Sequence, residues 1–169
     1  DCLTNANIHY RGIMDSGSCG DNLRWELYEG VMTISGSGAM PDYERPELVP
    51  WAVVRSKIKS LVIGQKVTSV GQYAFAFCDN LTEVVLKDDV AYIAEFAFEG
   101  CKALERIQIP GRMKNICNCA FWNCGSLKEV VFAGTRKEYE KLSVVEAGNE
   151  SLLDSAWTVT GFCEFLDNS

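Results

Sequence analysis

Cysteine and histidine are the residue types here best suited to nucleophilic or metal chemistry, and the chain has eight of the first and one of the second. The tightest thiol group is Cys117-x-Cys119-x4-Cys124. A structural zinc site needs four ligands, usually with a CxxC pair. No CxxC occurs and no fourth ligand is evident, so no metal is expected. The single histidine, His9, lies near the start of the chain, away from any cleft that a Ser-His-Asp or Cys-His machine would require. It reads as a surface or strand-paired residue. Gly36-Ser37-Gly38 lacks the third glycine of a nucleotide-binding loop and reads as a turn. Asp88-Asp89, Glu44 and Glu47 read as solvated loop charges, with nothing to single out a catalytic pair. The residues predict no catalytic site, no metal and no cofactor.

What the cysteines do show is a period. Cys78, Cys101 and Cys124 are spaced 23 residues apart, twice over. In that register the chain divides into units 67–89, 90–112 and 113–135. Val67, Val90 and Met113 share one column, and Val70, Ile93 and Ile116 share another. An Ala-Phe pair recurs at Ala74-Phe75, Ala97-Phe98 and Ala120-Phe121. After each cysteine follow Leu81, Leu104 and Leu127, then Val84, Ile107 and Val130, then Leu86, Ile109 and Phe132. Ile58, Leu61 and Ile63 extend the register backwards by half a unit.

Such a repeat predicts a solenoid, because one 23-residue coil cannot bury its apolar face alone whereas stacked coils share a core. EVVL, RIQI and EVVF alternate with period two, so each coil supplies one short strand to a parallel sheet. The Ala-Phe segment predicts a short helical turn on the opposite side. Phe75, Phe98 and Phe121 then form an inward ladder, each ring stabilising by about 2–3 kcal/mol through burial. Cys78, Cys101 and Cys124 form a second inward ladder as small hydrophobes, while Cys117 and Cys119 are additional to the repeat. Pairing among Cys2, Cys19 and Cys163 stays open, since spacing does not define connectivity.

The same register assigns an outward face. Ser60, Glu83, Arg106 and Glu129 form one column, and Val62, Val85, Gln108 and Val131 the next. The second would be a mildly apolar stripe flanked by charge, the kind of patch that marks interaction sites. Strand propensity alone accounts for the same valines. Trp122 aligns with Ala76 and Glu99 in a column expected to face solvent, and is a further candidate contact. Packing of Trp122 on the C-terminal cap is the simpler expectation. Trp51 takes the Ala74 column and is expected to plug the first coil.

Solenoid ends need caps. Leu23, Trp25 and Leu27 alternate, Glu29-Gly30 can turn, and Met32 and Ile34 alternate back, which predicts a β-hairpin. Residues 35–50 are turn-rich and read as an irregular loop. Downstream, Thr135 with Glu138 has capping-box spacing for a helix through about Leu142, and Tyr139 and Leu142 would cover the last coil. The domain reading is therefore an N-terminal cap over 13–57, a solenoid over 58–135 and a closing segment over 136–169. Residues 1–12, with Leu3 and Ala6 matching Leu153 and Ala156, resemble the tail of a preceding repeat block.

Composition narrows the partners. Sixteen basic against 23 acidic residues give a net charge of −7, which argues against nucleic acid and against an anionic membrane surface. No apolar run approaches the roughly 18 residues of a spanning helix, so no membrane insertion is expected. The chain begins at Asp1 with no initiator Met and no basic-then-apolar leader, so any targeting segment is expected either to have been removed or to lie outside this sequence.

The columns V-x-x-I-x-x-x-A-F-x-x-C-x-x-L-x-x-V-x-L resemble the 23-residue leucine-rich repeats of BspA-like bacterial surface proteins. SGSCGDNLRWELYEGVMTISGSGAM is similar to the segment that precedes those repeats, and FAGTRKEYEKLSVVEAGNESLLDSAWTV to the one that closes them. The fold implied is a short leucine-rich-repeat solenoid. The resemblance further implies a secreted or cell-surface, non-enzymatic module for adhesion to a host or bacterial surface protein, or to a glycan. Glu83, Val85, Arg106, Gln108, Glu129, Val131 and Trp122 are the candidate contacts. A structural spacer, or a targeting module of a larger secreted protein or enzyme, is the alternative. Neighbouring repeat blocks of the same parent protein are a further expected partner.

Overall fold

A computed structural model describes residues 14–161. His9, Cys2, Cys163 and the Leu3/Ala6 similarity lie outside these residues. In chain order the strands are β1 (Asp15–Ser18), β2 (Leu23–Tyr28), β3 (Val31–Gly36), β4 (Gly38–Ala39), β5 (Ser60–Ile63), β6 (Val67–Val70) and β7 (Glu83–Leu86). They continue with β8 (Tyr92–Ile93), β9 (Arg106–Pro110), β10 (Asn115–Ile116), β11 (Glu129–Ala133), β12 (Ser143–Val144) and β13 (Ala156–Val159). Helix is scarce: 3₁₀ segments Pro46–Leu48 and Ala52–Lys57, and single turns α1 (Arg136–Tyr139) and α2 (Glu150–Leu153).

The strands form two sheets around one core. The larger has eight strands in the order β1-β2-β3-β5-β7-β9-β11-β13, and the smaller five in the order β12-β10-β8-β6-β4. From β3 to β13 the larger sheet is parallel, with Ser60, Glu83, Arg106 and Glu129 in cross-strand register as the 23-residue period requires. The hairpin is present, turning through Glu29 and Gly30 at φ 48° and 83°, the pair of left-handed residues that a tight two-residue turn needs. It continues the solenoid sheet edge to edge, and β1 adds a further strand outside it.

Two expectations change. Each coil contributes two strands, because the Val-x-x-Val/Ile columns build the second sheet. The Ala-Phe segment is a pair of tight turns with no helix. Tyr73, Phe96 and Cys119 all sit at φ 54–58°, and Phe77, Gly100 and Asn123 at φ 58–69°. Two left-handed residues four positions apart in every coil break any helical run, since that conformation does not propagate. Within the loop over 35–50, β4 joins the smaller sheet and Pro46–Leu48 forms a 3₁₀ turn.

The core is a set of ladders. Phe75, Phe98 and Phe121 are fully buried and stack with ring centroids 5.7 and 5.2 Å apart. Trp51 is fully buried and stacks on Phe75 at 5.1 Å, so its ring extends the Phe ladder although its backbone falls in the Ala74 column. Cys78, Cys101 and Cys124 are also fully buried. The thiols of Cys101 and Cys124 donate to the Phe75 and Phe98 carbonyls of the preceding coil, both at 3.1 Å. The cysteines thus pack as small hydrophobes and also bond coil to coil.

Candidate interaction face

The strands of the larger sheet alternate inward and outward, so every second residue is presented on one outer face. Register aligns one row as Tyr28, Val31, Ser60, Glu83, Arg106, Glu129 and Ala156. The adjacent row runs Glu26, Thr33, Val62, Val85, Gln108, Val131 and Thr158. At about 4.8 Å between strands, eight strands make a face roughly 34 Å long.

Its electrostatic centre is Arg106. The guanidinium reaches Glu83 Oε1 at 2.6 Å on one side and Glu129 Oε2 at 3.0 Å on the other. All three side chains remain roughly one-third to one-half exposed, so the triad is solvated and screened. Val62, Val85 and Gln108 are half-buried beside it. The sequence register thus brings Glu83, Val85, Arg106, Gln108 and Glu129 together on one face.

Two of the expected contacts differ. Val131 is only 8% exposed, between Gln108 of β9 and Thr158 of β13. The apolar stripe therefore ends at Gln108. Trp122 is 46% exposed and has no aromatic partner among the described residues. The closing segment spends its contacts elsewhere: Ala147 accepts the Cys119 N–H at 2.8 Å and Gly148 packs on the Cys119 side chain. Trp122 lies on the turn edge, away from the strand face.

Tyr28 and Val31 were not legible as part of this face, yet they are 41% and 43% exposed on its first row. The hairpin alternation signals that Tyr28 points away from Leu27. Only the parallel pairing of β3 with β5 aligns it with the repeat columns.

Among the described residues the thiols outside the ladder form no ligand set. Cys117 bonds to the Tyr92 hydroxyl at 2.9 Å, and that contact, ahead of burial, pushes the Tyr92 phenol up to about 12. Burial, reinforced by the neighbouring Cys124 and Cys78, pushes the Cys101 thiol well above its usual range. Among the described residues no group of three or more His, Cys, Asp or Glu could hold a metal ion. No helix of these residues is long and apolar enough to cross a membrane.

The family described as BspA type leucine rich repeat region (6 copies) matches residues 52–146. Among solved structures, the chain is similar to a leucine-rich repeat protein from Eubacterium ventriosum at TM-score 0.50 and 22% identity, covering 72% of this chain and 45% of that one. It is also similar to a leucine rich cell surface protein from Faecalibacterium prausnitzii A2-165, at TM-score 0.49 and 21% identity, covering 74% and 41%. This chain spans less than half the length of either, and at such identity the likeness to the first speaks for the fold alone. A search of curated proteins gives no match. With 23-residue coils stacked through parallel strands and a family match over more than half its length, the chain belongs to the BspA-type leucine-rich-repeat family.

Proposed function

We propose that the chain is a non-enzymatic binding module of a bacterial secreted or cell-surface protein, meeting a protein or glycan partner through the outer face of its larger sheet. The observation that carries this reading is the outer face of the eight-stranded sheet, whose two outward rows stay at least partly exposed from β2 through β9. A flat, mixed surface of this kind fits recognition by shape and distributed polar contacts rather than by one deep pocket. The surface location rests on the family, as does the adhesive role. A fold so widely reused does not by itself specify a partner.

The test is binding of the purified chain to extracellular-matrix proteins and to a glycan array, beside the double variant Val85→Glu/Gln108→Arg. Both side chains are half-buried on the outer face, so stability should move by about 0.5–1 kcal/mol. Micromolar or tighter binding that disappears in the variant supports the strand face. Binding that survives the variant overturns it.

One feature favours a second reading, a structural spacer that displays other parts of a longer protein. Arg106 is held between both flanking glutamates, so the one cation of that stretch is already engaged and only the excess carboxylate charge is left to offer a partner. Absence of binding at high micromolar concentration would favour the spacer.

A further inference from the structure

The turn edge of the solenoid carries an apolar ridge that the strand-face reading does not use. Val53, Ala76, Glu99 and Trp122 occupy one 23-residue column, and Val54, Phe77, Gly100 and Asn123 the next. Three of these are large exposed apolar residues: Val53 at 92%, Phe77 at 41% and Trp122 at 46%. Ala76 is buried in the column between Val53 and Trp122, and Phe77 in the adjacent column is the exposed apolar residue at that coil. One side of its ring packs against Gly100 of the next coil, where an added Cβ would meet ring carbon at 2.5 Å. Gly100 in turn donates to the Trp122 carbonyl at 2.7 Å. The ridge therefore runs Val53, Phe77, Trp122 over three coil steps, about 14 Å at strand spacing.

Its charges are mixed with an acidic excess, the carboxylates of Glu47, Asp79 and Glu99 against the cations of Arg55 and Lys102. A cleft of about 460 Å³ opens between Val53 and Phe77 and is flanked by Glu47 and Asp79. Glu99 stands in the Val53–Trp122 column, and partial burial raises its carboxyl above the usual range. None of the three carboxylates makes a salt bridge among the described residues, whereas six other pairs do form. The cation lining the cleft, Arg55, is engaged by the Pro46 carbonyl at 2.5 Å. Lys102, one coil beyond Asp79 in the same column, is the remaining nearby cation.

We propose that this ridge is a second docking surface, and that its occupant is a polypeptide segment carrying Lys or Arg next to apolar side chains. Apolar side chains of the segment cover Val53 and Phe77, whose exposure is otherwise costly. Its cations meet Glu47, Asp79 and Glu99 in charge-assisted hydrogen bonds, and an aromatic face at Phe77 or Trp122 adds a cation–π contact. Exposed Trp and Phe are the residue types that dominate binding energy at protein interfaces. The surface is independent of the strand face, so the two proposals fail separately.

The experiment is selection of a displayed random-peptide library on the folded chain, counter-selected on Phe77→Ser/Trp122→Ser. Peptides specific for the unaltered chain should be enriched in Lys or Arg beside apolar residues. Their binding should weaken at least tenfold in the serine variant, in a second variant Asp79→Lys/Glu99→Lys, and at high salt. Unchanged binding of the same peptides to Val85→Glu/Gln108→Arg is the expected control. The proposal is overturned if no such peptides emerge, if those selected are acidic, or if the charge-reversed variant binds them as well as the unaltered chain.

Discussion

Phe98 stacks between Phe75 and Phe121 with no exposure, so it carries the load of the ladder from both sides. Replacing it by alanine leaves a cavity that the rings above and below cannot close without unstacking. Phe98→Ala should cost about 3–5 kcal/mol, read as a Tm fall of roughly 6–20 °C for a chain of this size. A loss below about 1 kcal/mol would mean that the ladder is not a main stabiliser. The cysteines separate at the same scale. Cys78, Cys101 and Cys124 are fully buried, while Cys117 and Cys119 are partly exposed. Limited alkylation of the native chain, followed by peptide mass mapping, should modify Cys117 and Cys119 well before the ladder. Both the ladder and the two extra thiols are visible in the sequence, because a 23-residue comparison separates shared columns from exceptions. The thiol-to-carbonyl bonds are not, since they depend on where the preceding coil's backbone lies.

At the scale of elements, the two ends of the solenoid are finished by side chains that imitate a missing coil. Within the stack each Phe N–H donates to the Ala carbonyl of the next coil, as Phe75 does to Ala97 and Phe98 to Ala120, both at 2.8 Å. Phe121 has no further coil, and Asn149 Oδ1 accepts its N–H at 3.0 Å. The Asn149 amide also donates to the Cys117 and Val145 carbonyls, both at 2.7 Å, and the residue is fully buried. At the other end the Trp51 indole donates to the Ala74 carbonyl at 2.9 Å. Asn149→Ala should leave the buried Phe121 N–H unpaired and cost about 1–3 kcal/mol, measured by denaturant unfolding. Trp51→Phe, which keeps a ring but loses the donor, should cost less than Trp51→Ala. The helical cap at Thr135 forms the expected capping box with Glu138. Hydrogen bonds from the Thr135 backbone and hydroxyl hold the Glu138 carboxyl below its usual range. Its contribution is therefore present above the ordinary Glu value, about 4.3, and is lost as pH falls through the lower folded-state value. The Tm difference between the unaltered chain and Glu138→Gln should shrink in that acid range, and a constant difference would exclude the carboxylate as its source. Thr135 and Glu138 announce themselves by spacing. Asn149 does not, because its partners come from the last coil and are remote in sequence.

Across the whole molecule, one core runs from the hairpin to β13 without a break. Trp25 and Trp51 report on one end, and Trp122 and Trp157 on the other. Thermal unfolding followed by tryptophan fluorescence and by far-UV circular dichroism should therefore give coincident transitions. Separate transitions would show that an end unravels on its own, as nearest-neighbour coupling in solenoids permits. The amino-acid sequence by itself determined the coil length, the inward columns, the hairpin, the capping box and the family. Each of these is a local or periodic pattern, and a period of 23 converts one-dimensional spacing into stacking order. Only the tertiary structure decided that each coil bears two strands, that left-handed turns replace the expected helical turn, and that the hairpin extends the sheet. Only it decided that Val131 is covered while Tyr28 and Val31 face outward, and that Phe77 reaches across Gly100 toward Trp122. The first two and the Phe77 contact depend on backbone conformation and coil-to-coil pairing inside the repeat, which spacing does not encode. The others depend on which segments meet at the ends of the stack, where the register has no further column to align.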